Sequence, residues 1–270
     1  MNLSPLQFCV ALFAFAAGLT GFGQHVHQRT VPTDTALGLG RPLPPGWEPA
    51  VNDSLTHWAV FVQRAEFRSG DMGDAAVLDT EGWVGGDFHR FWWKLEGEQL
   101  TERPRSGELE VQALYSRLIS PFWDIQAGVR IDRAYSGPER STRGHVVIGL
   151  EGLAPYRFEV EPTFALSDDG ELSFEFVTTY DLLVTQRLVL QPRIALRLDT
   201  AEEEHDGGFL GEGLNDLDIG VRLRYDISRQ FSPYVGVEWH RRVGASAGAA
   251  RRAGQHGWQT ALVVGVRGWF

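Results

Sequence analysis

Asp216-Leu217-Asp218-Ile219-Gly220-Val221-Arg222-Leu223-Arg224-Tyr225-Asp226 is the stretch on which the fold of this chain turns. Leu217, Ile219, Val221, Leu223 and Tyr225 are apolar. Between them stand Asp216, Asp218, Arg222, Arg224 and Asp226, all charged, with Gly220 the one small residue. Successive side chains of a strand point to opposite faces, so this segment as a strand has one wholly apolar face and one wholly charged face. A helix of the same sequence would smear both sets around its axis. An apolar face with no polar relief suits lipid, and a charged face opposite it suits a water- or ion-filled interior.

The same period of two recurs along the chain. Leu188, Leu190, Ile194, Leu196 and Leu198 alternate with Gln191, Arg193, Arg197 and Asp199, and Leu172, Phe174 and Phe176 alternate with Ser173, Glu175 and Thr179. After Ser54 no apolar period of 3.6 residues is sustained. The alternation predicts twelve strands, at 55–67, 75–84, 88–100, 107–119, 122–134, 143–153, 156–167, 171–182, 187–199, 214–227, 232–243 and 258–270. Short connections (Gly85 to Asp87, Ser120-Pro121, Ala154-Pro155, Leu183 to Gln186, Ser228 to Phe231) alternate with longer ones at 135–142, 200–213 and 244–257. That is the arrangement expected of periplasmic turns and extracellular loops. The reading is therefore all-β, a closed antiparallel transmembrane β-barrel of about twelve strands. A soluble sandwich would alternate too, but its outward face would be polar.

Composition agrees. Of 270 residues, 31 are Gly and 31 are aromatic (16 Phe, 9 Trp, 6 Tyr), while the mean hydropathy is only −0.19. Twenty-five Lys and Arg against 35 Asp and Glu give a net charge of −10, which speaks against nucleic acid as a partner. Trp58, Trp83, Trp92, Trp93, Trp123, Trp239, Trp258 and Trp269 fall near strand ends or in early and late strands, as interfacial aromatic girdles would, with ordinary packing as the alternative. Val264, Val266, Gly268 and Phe270 share a face, so the chain closes on a terminal aromatic carboxylate of the kind that addresses a barrel to the outer-membrane assembly machinery.

Ahead of the barrel, Phe8 to Phe22 is the one long apolar run, followed by Gly21-Phe22-Gly23, and residues 1–23 read as a secretory signal peptide. It is shorter than the ~20 apolar residues of a membrane-spanning helix. Residues 24–54, with Pro32, Pro42, Pro44, Pro45 and Pro49, read as a flexible periplasmic linker, and 55–270 as the barrel. The single cysteine, Cys9, lies in the signal, which leaves no thiol chemistry for the mature chain.

Several blocks resemble one family: Trp83 to Asp87 (WVGGD), Glu110 to Arg117 (EVQALYSR), Pro121 to Arg130 (PFWDIQAGVR), Gly152 to Val160 (GLAPYRFEV), Tyr180 to Leu188 (YDLLVTQRL) and Gly213 to Gly220 (GLNDLDIG). They resemble, in order from about Ser54 to Phe270, the copper-resistance protein B family of Gram-negative outer membranes. The resemblance implies an outer-membrane barrel acting in copper resistance, a copper ion as its ligand, and a periplasmic copper-binding protein as a partner. Members of that family commonly carry a Met- and His-rich segment before the barrel. This chain has only Met1 and Met72, which puts copper storage by its tail in doubt.

Metal candidates then follow from residue chemistry. His25 and His27, with a new α-amino group after cleavage, could chelate Cu(II) or Ni(II), and the bland alternative is two solvated histidines. If Tyr234 stands opposite Arg224, then Asp218 falls opposite His240 and Asp216 opposite Arg242, with Glu238 one inward step away. His240, Asp218 and Glu238 offer nitrogen and oxygen donors for Cu(II), or else a structural ion-pair or hydrogen-bond cluster, while Asp216 with Arg242 reads as a structural ion pair. Glu159 and Glu161 on the seventh strand and Glu175 on the eighth make a carboxylate group, whose alternative is pairing with Arg193 and Arg197. His145 faces inward near the outer mouth. Glu81 with Arg90, and Glu151 with Arg157, read as plain charge compensation. No nucleophile elbow, phosphate loop, His-Glu-x-x-His or dinucleotide motif appears, so a non-enzymatic barrel leads. The alternatives are a structural or general-diffusion barrel with no metal role and, less favoured, a barrel hydrolase.

Overall fold

The computed structural model describes residues 55–101, 106–199, 203–205, 208–210, 213–243 and 257–270. Its strands are β1 (His57–Gly70), β2 (Ala75–Gly85), β3 (His89–Leu100), β4 (Ser106–Ser120), β5 (Trp123–Ser136), β6 (Glu139–Ala154), β7 (Phe158–Ser167), β8 (Leu172–Thr179), β9 (Leu188–Asp199), β10 (Gly213–Tyr225), β11 (Phe231–Arg242) and β12 (Gln259–Trp269). A two-residue strand, Leu182–Leu183, extends the edge of β9, and a small hairpin, Glu203–His205 with Gly208–Leu210, lies between β9 and β10.

Each long strand pairs antiparallel with its sequence neighbours, and β12 pairs back onto β1. The sheet is thus closed, as a membrane requires, because an open edge would leave peptide groups without partners in hydrocarbon. The seam is finished by the last residue. The Phe270 amide donates to the Val60 carbonyl at 2.9 Å, and the Val60 amide donates to the Phe270 carbonyl at 3.1 Å.

The outer face carries the apolar half of the alternation. Val129, Ile131, Val146, Ile148, Phe164, Leu166, Val235, Leu262 and Val264 are all exposed there. Inward stand the charged residues together with an apolar cluster of Trp92, Leu114, Val147 and Ala165, against which Trp83 packs. Trp92, expected in a girdle, is therefore a core residue, whereas Trp58, Trp258 and Trp269 remain exposed near strand ends. In β1 the register shifts between Val62 and Arg64, so a bulge turns two successive side chains inward: Gln63 reaches Glu81 and Arg64 reaches Asp79.

The alternation located every long strand to within a few residues, with one correction. The 135–142 loop is not a loop, since β5 runs to Ser136 and β6 starts at Glu139. Gly137, at φ 60, and Pro138 alone make the turn, which suits glycine at the first corner of a tight hairpin. Its Arg, Ser and Thr residues read as loop by polarity, yet they keep the two-residue period. The proposed signal peptide and linker, with His25 and His27, lie outside the described residues.

Candidate functional site

The lumen is built from inward side chains of non-adjacent strands that meet across it. Arg222 of β10 reaches Glu66 of β1 with two bonds, Nε to Oε2 at 3.0 Å and Nη2 to Oε1 at 2.9 Å. Nη2 also donates to Glu238 of β11 at 2.8 Å. The Tyr234 hydroxyl adds a bond to Glu66 Oε2 at 2.9 Å. A forked guanidinium between two carboxylates is the geometry that strengthens such bonds, and the low-dielectric surroundings make each partner costly to lose. Side-chain exposure is 3% for Arg222 and 1% for Glu66, so the pair is shielded from bulk water.

Two further bridges cross the barrel. Lys94 of β3 donates to Glu151 of β6 at 3.0 Å and to Glu161 of β7, while the Gln126 amide donates to Glu151 at 2.9 Å. Arg130 of β5, with 0% side-chain exposure, bonds Glu175 of β8 at 3.0 Å and pairs with Asp132 at 2.9 Å and Glu110 at 3.5 Å. Arg64 joins Asp79 and Glu96, and Arg68 joins Glu98. Long charged side chains, paired with one another, fill the middle of the barrel.

The sequence-derived site residues distribute unevenly in this network. The β10–β11 register is as read: Arg224 opposes Tyr234, Asp218 opposes His240, and Asp216 opposes Arg242. His240 Nδ1 lies 2.7 Å from Asp218 Oδ1, and its Nε2 lies 3.4 Å from Asp216 Oδ1. Glu238 does not join them, being held by Arg222. Glu161 is held by Lys94, and Glu175 by Arg130 and, at 3.6 Å, Arg197. Glu159 is exposed and accepts a bond from Thr179 Oγ1 at 2.8 Å. The three carboxylates thus do not share one site. His145 is inward and buried, opposite Arg130, with Nδ1 3.5 Å from Asp132 Oδ2, too long for a hydrogen bond.

Two charge-compensation pairs need correction. Glu81 stands opposite Lys94, and Arg90 opposite Gly85, because the chain turns over Gly86, Asp87 and Phe88 rather than over Gly85 to Asp87. Arg90 instead approaches Asp124 at 3.7 Å and lies 4.7 Å from the Trp83 ring centroid. Glu151 reaches across to Lys94, and Arg157 sits exposed in the turn Pro155–Arg157 with φ 68. Arg222, Glu66, Lys94, Arg130 and Tyr234 went unnoticed as bridge builders. Their inward phase was visible, but nothing in a sequence says which strand lies opposite across a lumen.

Among the described residues no group of three or more His, Cys, Asp or Glu side chains is arranged to hold a metal ion. At His240 the reason is visible: Asp218 and Asp216 engage opposite ring nitrogens and so cannot converge on one ion.

A closed antiparallel barrel with an apolar wall outside and paired charges inside is an outer-membrane β-barrel. The family model described as copper resistance protein B precursor matches residues 56–270. Copper resistance protein B of Escherichia coli is 35% identical, covering 82% of this chain and 72% of the relative. The copper resistance protein B homolog of Pseudomonas syringae pv. tomato is 34% identical, covering 95% and 90%. The chain belongs to the copper resistance protein B family and is an outer-membrane barrel of copper resistance. Among solved structures it is similar to the KdgM porin (TM-score 0.47, 14% identity, 78% of this chain and 99% of that one) and to the NanC porin (0.49, 13%, 78% and 99%).

Proposed function

We propose that the barrel acts in copper resistance by holding Cu(II) as cargo at its loop-side mouth, with His240 as the nitrogen donor, rather than by conducting it freely. The observation that carries this reading is the His240 ring clamped between two aspartates. Asp218 on Nδ1 fixes the tautomer and orientation of the imidazole, as carboxylates do for metal-bound histidines. Nε2 and the Asp216 carboxylate then face the same side and provide one nitrogen and one oxygen donor, a borderline set that suits Cu(II) better than Cu(I). Two protein donors leave the remaining positions to water, which fits an ion that is captured and released. The role is non-enzymatic in this reading. General diffusion fits less well, because the Arg222, Lys94 and Arg130 bridges occupy the middle of the lumen. Hand-over to a periplasmic copper-binding protein, and insertion through the assembly machinery by way of Phe270, belong to the same proposal.

The test is Cu(II) titration of the full chain in detergent, in a background carrying His25→Ala and His27→Ala so that the tail does not mask the barrel. His240→Ala should weaken binding at least tenfold and Asp218→Asn by less, through ring orientation alone. Unchanged affinity and stoichiometry in His240→Ala would overturn the site. Unchanged copper tolerance and cell-associated copper in a deletion strain would overturn the copper role.

A further inference from the structure

The outer wall has one feature that neither copper nor barrel closure uses. On the hairpin of β5 and β6, Arg133 and Arg140 point outward with the lipid-facing residues. Arg133 continues the row Val129, Ile131 on β5, and Arg140 continues the row Ile148, Val146, with Gly144 and Thr142 between, on β6. Register places Arg133 opposite Thr142 and Leu109, and Arg140 opposite Tyr135. The two arginines are therefore diagonal cross-strand neighbours, about 7–8 Å apart with their Cβ atoms somewhat closer, within reach of one bound group. None of the residues opposite them carries a carboxylate, and both guanidiniums are exposed and unpaired among the described residues. The contrast with the lumen is sharp: there Arg130, three residues before Arg133 on β5 and facing inward, pairs with three carboxylates. On the outside at this end, Arg241 at least lies over the Trp258 ring, 5.5 Å from its centroid.

Two free guanidiniums just above a band of exposed Val129 (53%), Ile131 (52%), Val146 (65%) and Ile148 (51%) have the chemistry of an amphiphile site. Guanidinium forks match phosphate oxygens, and the aliphatic wall beneath matches an acyl chain. We propose that this face of the β5–β6 hairpin docks a lipid-borne phosphate, the head group of a phosphorylated lipid in the leaflet at the loop end of the barrel. A free phosphate would use the arginines but gain nothing from the wall below them. The Tyr135 ring, lying across Gly107, closes the side of the site toward β4. This inference is independent of where copper binds.

Native mass spectrometry of the full chain, purified in neutral detergent, tests it with three probes: bis-phosphorylated lipid A, the same glycolipid with both phosphates removed, and inorganic phosphate. The wild type should bind the phosphorylated lipid at least tenfold more tightly than the dephosphorylated one, and Arg133→Gln with Arg140→Gln should erase that preference. Folding of the variant is checked by heat-modifiable gel mobility, and if the double variant misfolds, each single substitution should lower the preference about threefold. A preserved preference in the folded variants overturns the site. Binding of inorganic phosphate as tight as that of the lipid overturns the lipid as its occupant.

Discussion

Replacing Glu66 by Ala should be among the most damaging single changes in the lumen. Its carboxylate takes two bonds from Arg222 and one from Tyr234, at 2.9–3.0 Å. With 1% side-chain exposure, no bulk water stands ready to replace them. Hydrogen bonds to charged groups contribute roughly 1.5–3 kcal/mol each. Simple addition of three would overshoot, since Arg222 keeps Glu238 as a partner. Breaking a buried pair from one side costs about 3–5 kcal/mol, most of it the stranded charge rather than the lost attraction. The lower half of that range, about 3 kcal/mol, is the expected loss for Glu66→Ala, and Arg222→Met should cost a similar amount by stranding two carboxylates. Because each single change strands what the other removes, the double variant should be less destabilised than the sum by about 2–3 kcal/mol. Urea unfolding of the reconstituted barrel, followed by tryptophan fluorescence, measures all four proteins. A cost below about 1 kcal/mol for Glu66→Ala, with additive behaviour in the double variant, would show that water reaches the pair and that the lumen is not filled at this level.

Three further outcomes follow from the same structure. Val146→Arg places a guanidinium on the lipid face and should cost about 2–4 kcal/mol in bilayer refolding, if its position is near mid-membrane; a loss under ~1 kcal/mol would place this residue at the interface instead. Deleting Phe270 removes both backbone bonds that finish the β1–β12 seam, and should reduce the heat-modifiable, folded fraction in outer-membrane preparations; an unchanged fraction would dismiss the residue as an assembly determinant. Gly265→Val should destabilise by about 1–3 kcal/mol through overpacking, because a Cβ there would stand 2.7 Å from both Glu66 Cβ and the Tyr234 hydroxyl oxygen; a neutral result in the same urea assay would show slack beside the Glu66 network.

Period two, an apolar outward face and the alternation of short and long connections together determined that this chain is a barrel with lipid outside. A strand flips its side chains with every residue, so Leu217 through Tyr225 could only be amphipathic as a strand. The short turn after β10 likewise fixed that Asp218 meets His240 and Asp216 faces Arg242, because a tight turn leaves little freedom of register. The turn after β2 falls one residue later than read, at Gly86 to Phe88, and Glu81 stands opposite Lys94, four residues beyond the expected Arg90. The resemblance of the ordered blocks supplied the family, which no periodicity could.

Only the tertiary structure decided what the charges do. Inward phase says that Glu161, Glu175 and Glu238 face the lumen, and from that alone an acidic, cation-attracting interior is a fair reading. Which side chains meet across the lumen depends on closure, strand tilt and stagger, and these set distances between strands far apart in sequence. Glu66 and Arg222, 156 positions apart, meet because β12 returns to β1. Closure thus turned most of the candidate metal carboxylates into partners of Arg130, Arg222 and Lys94, and left the His240 ring between Asp216 and Asp218.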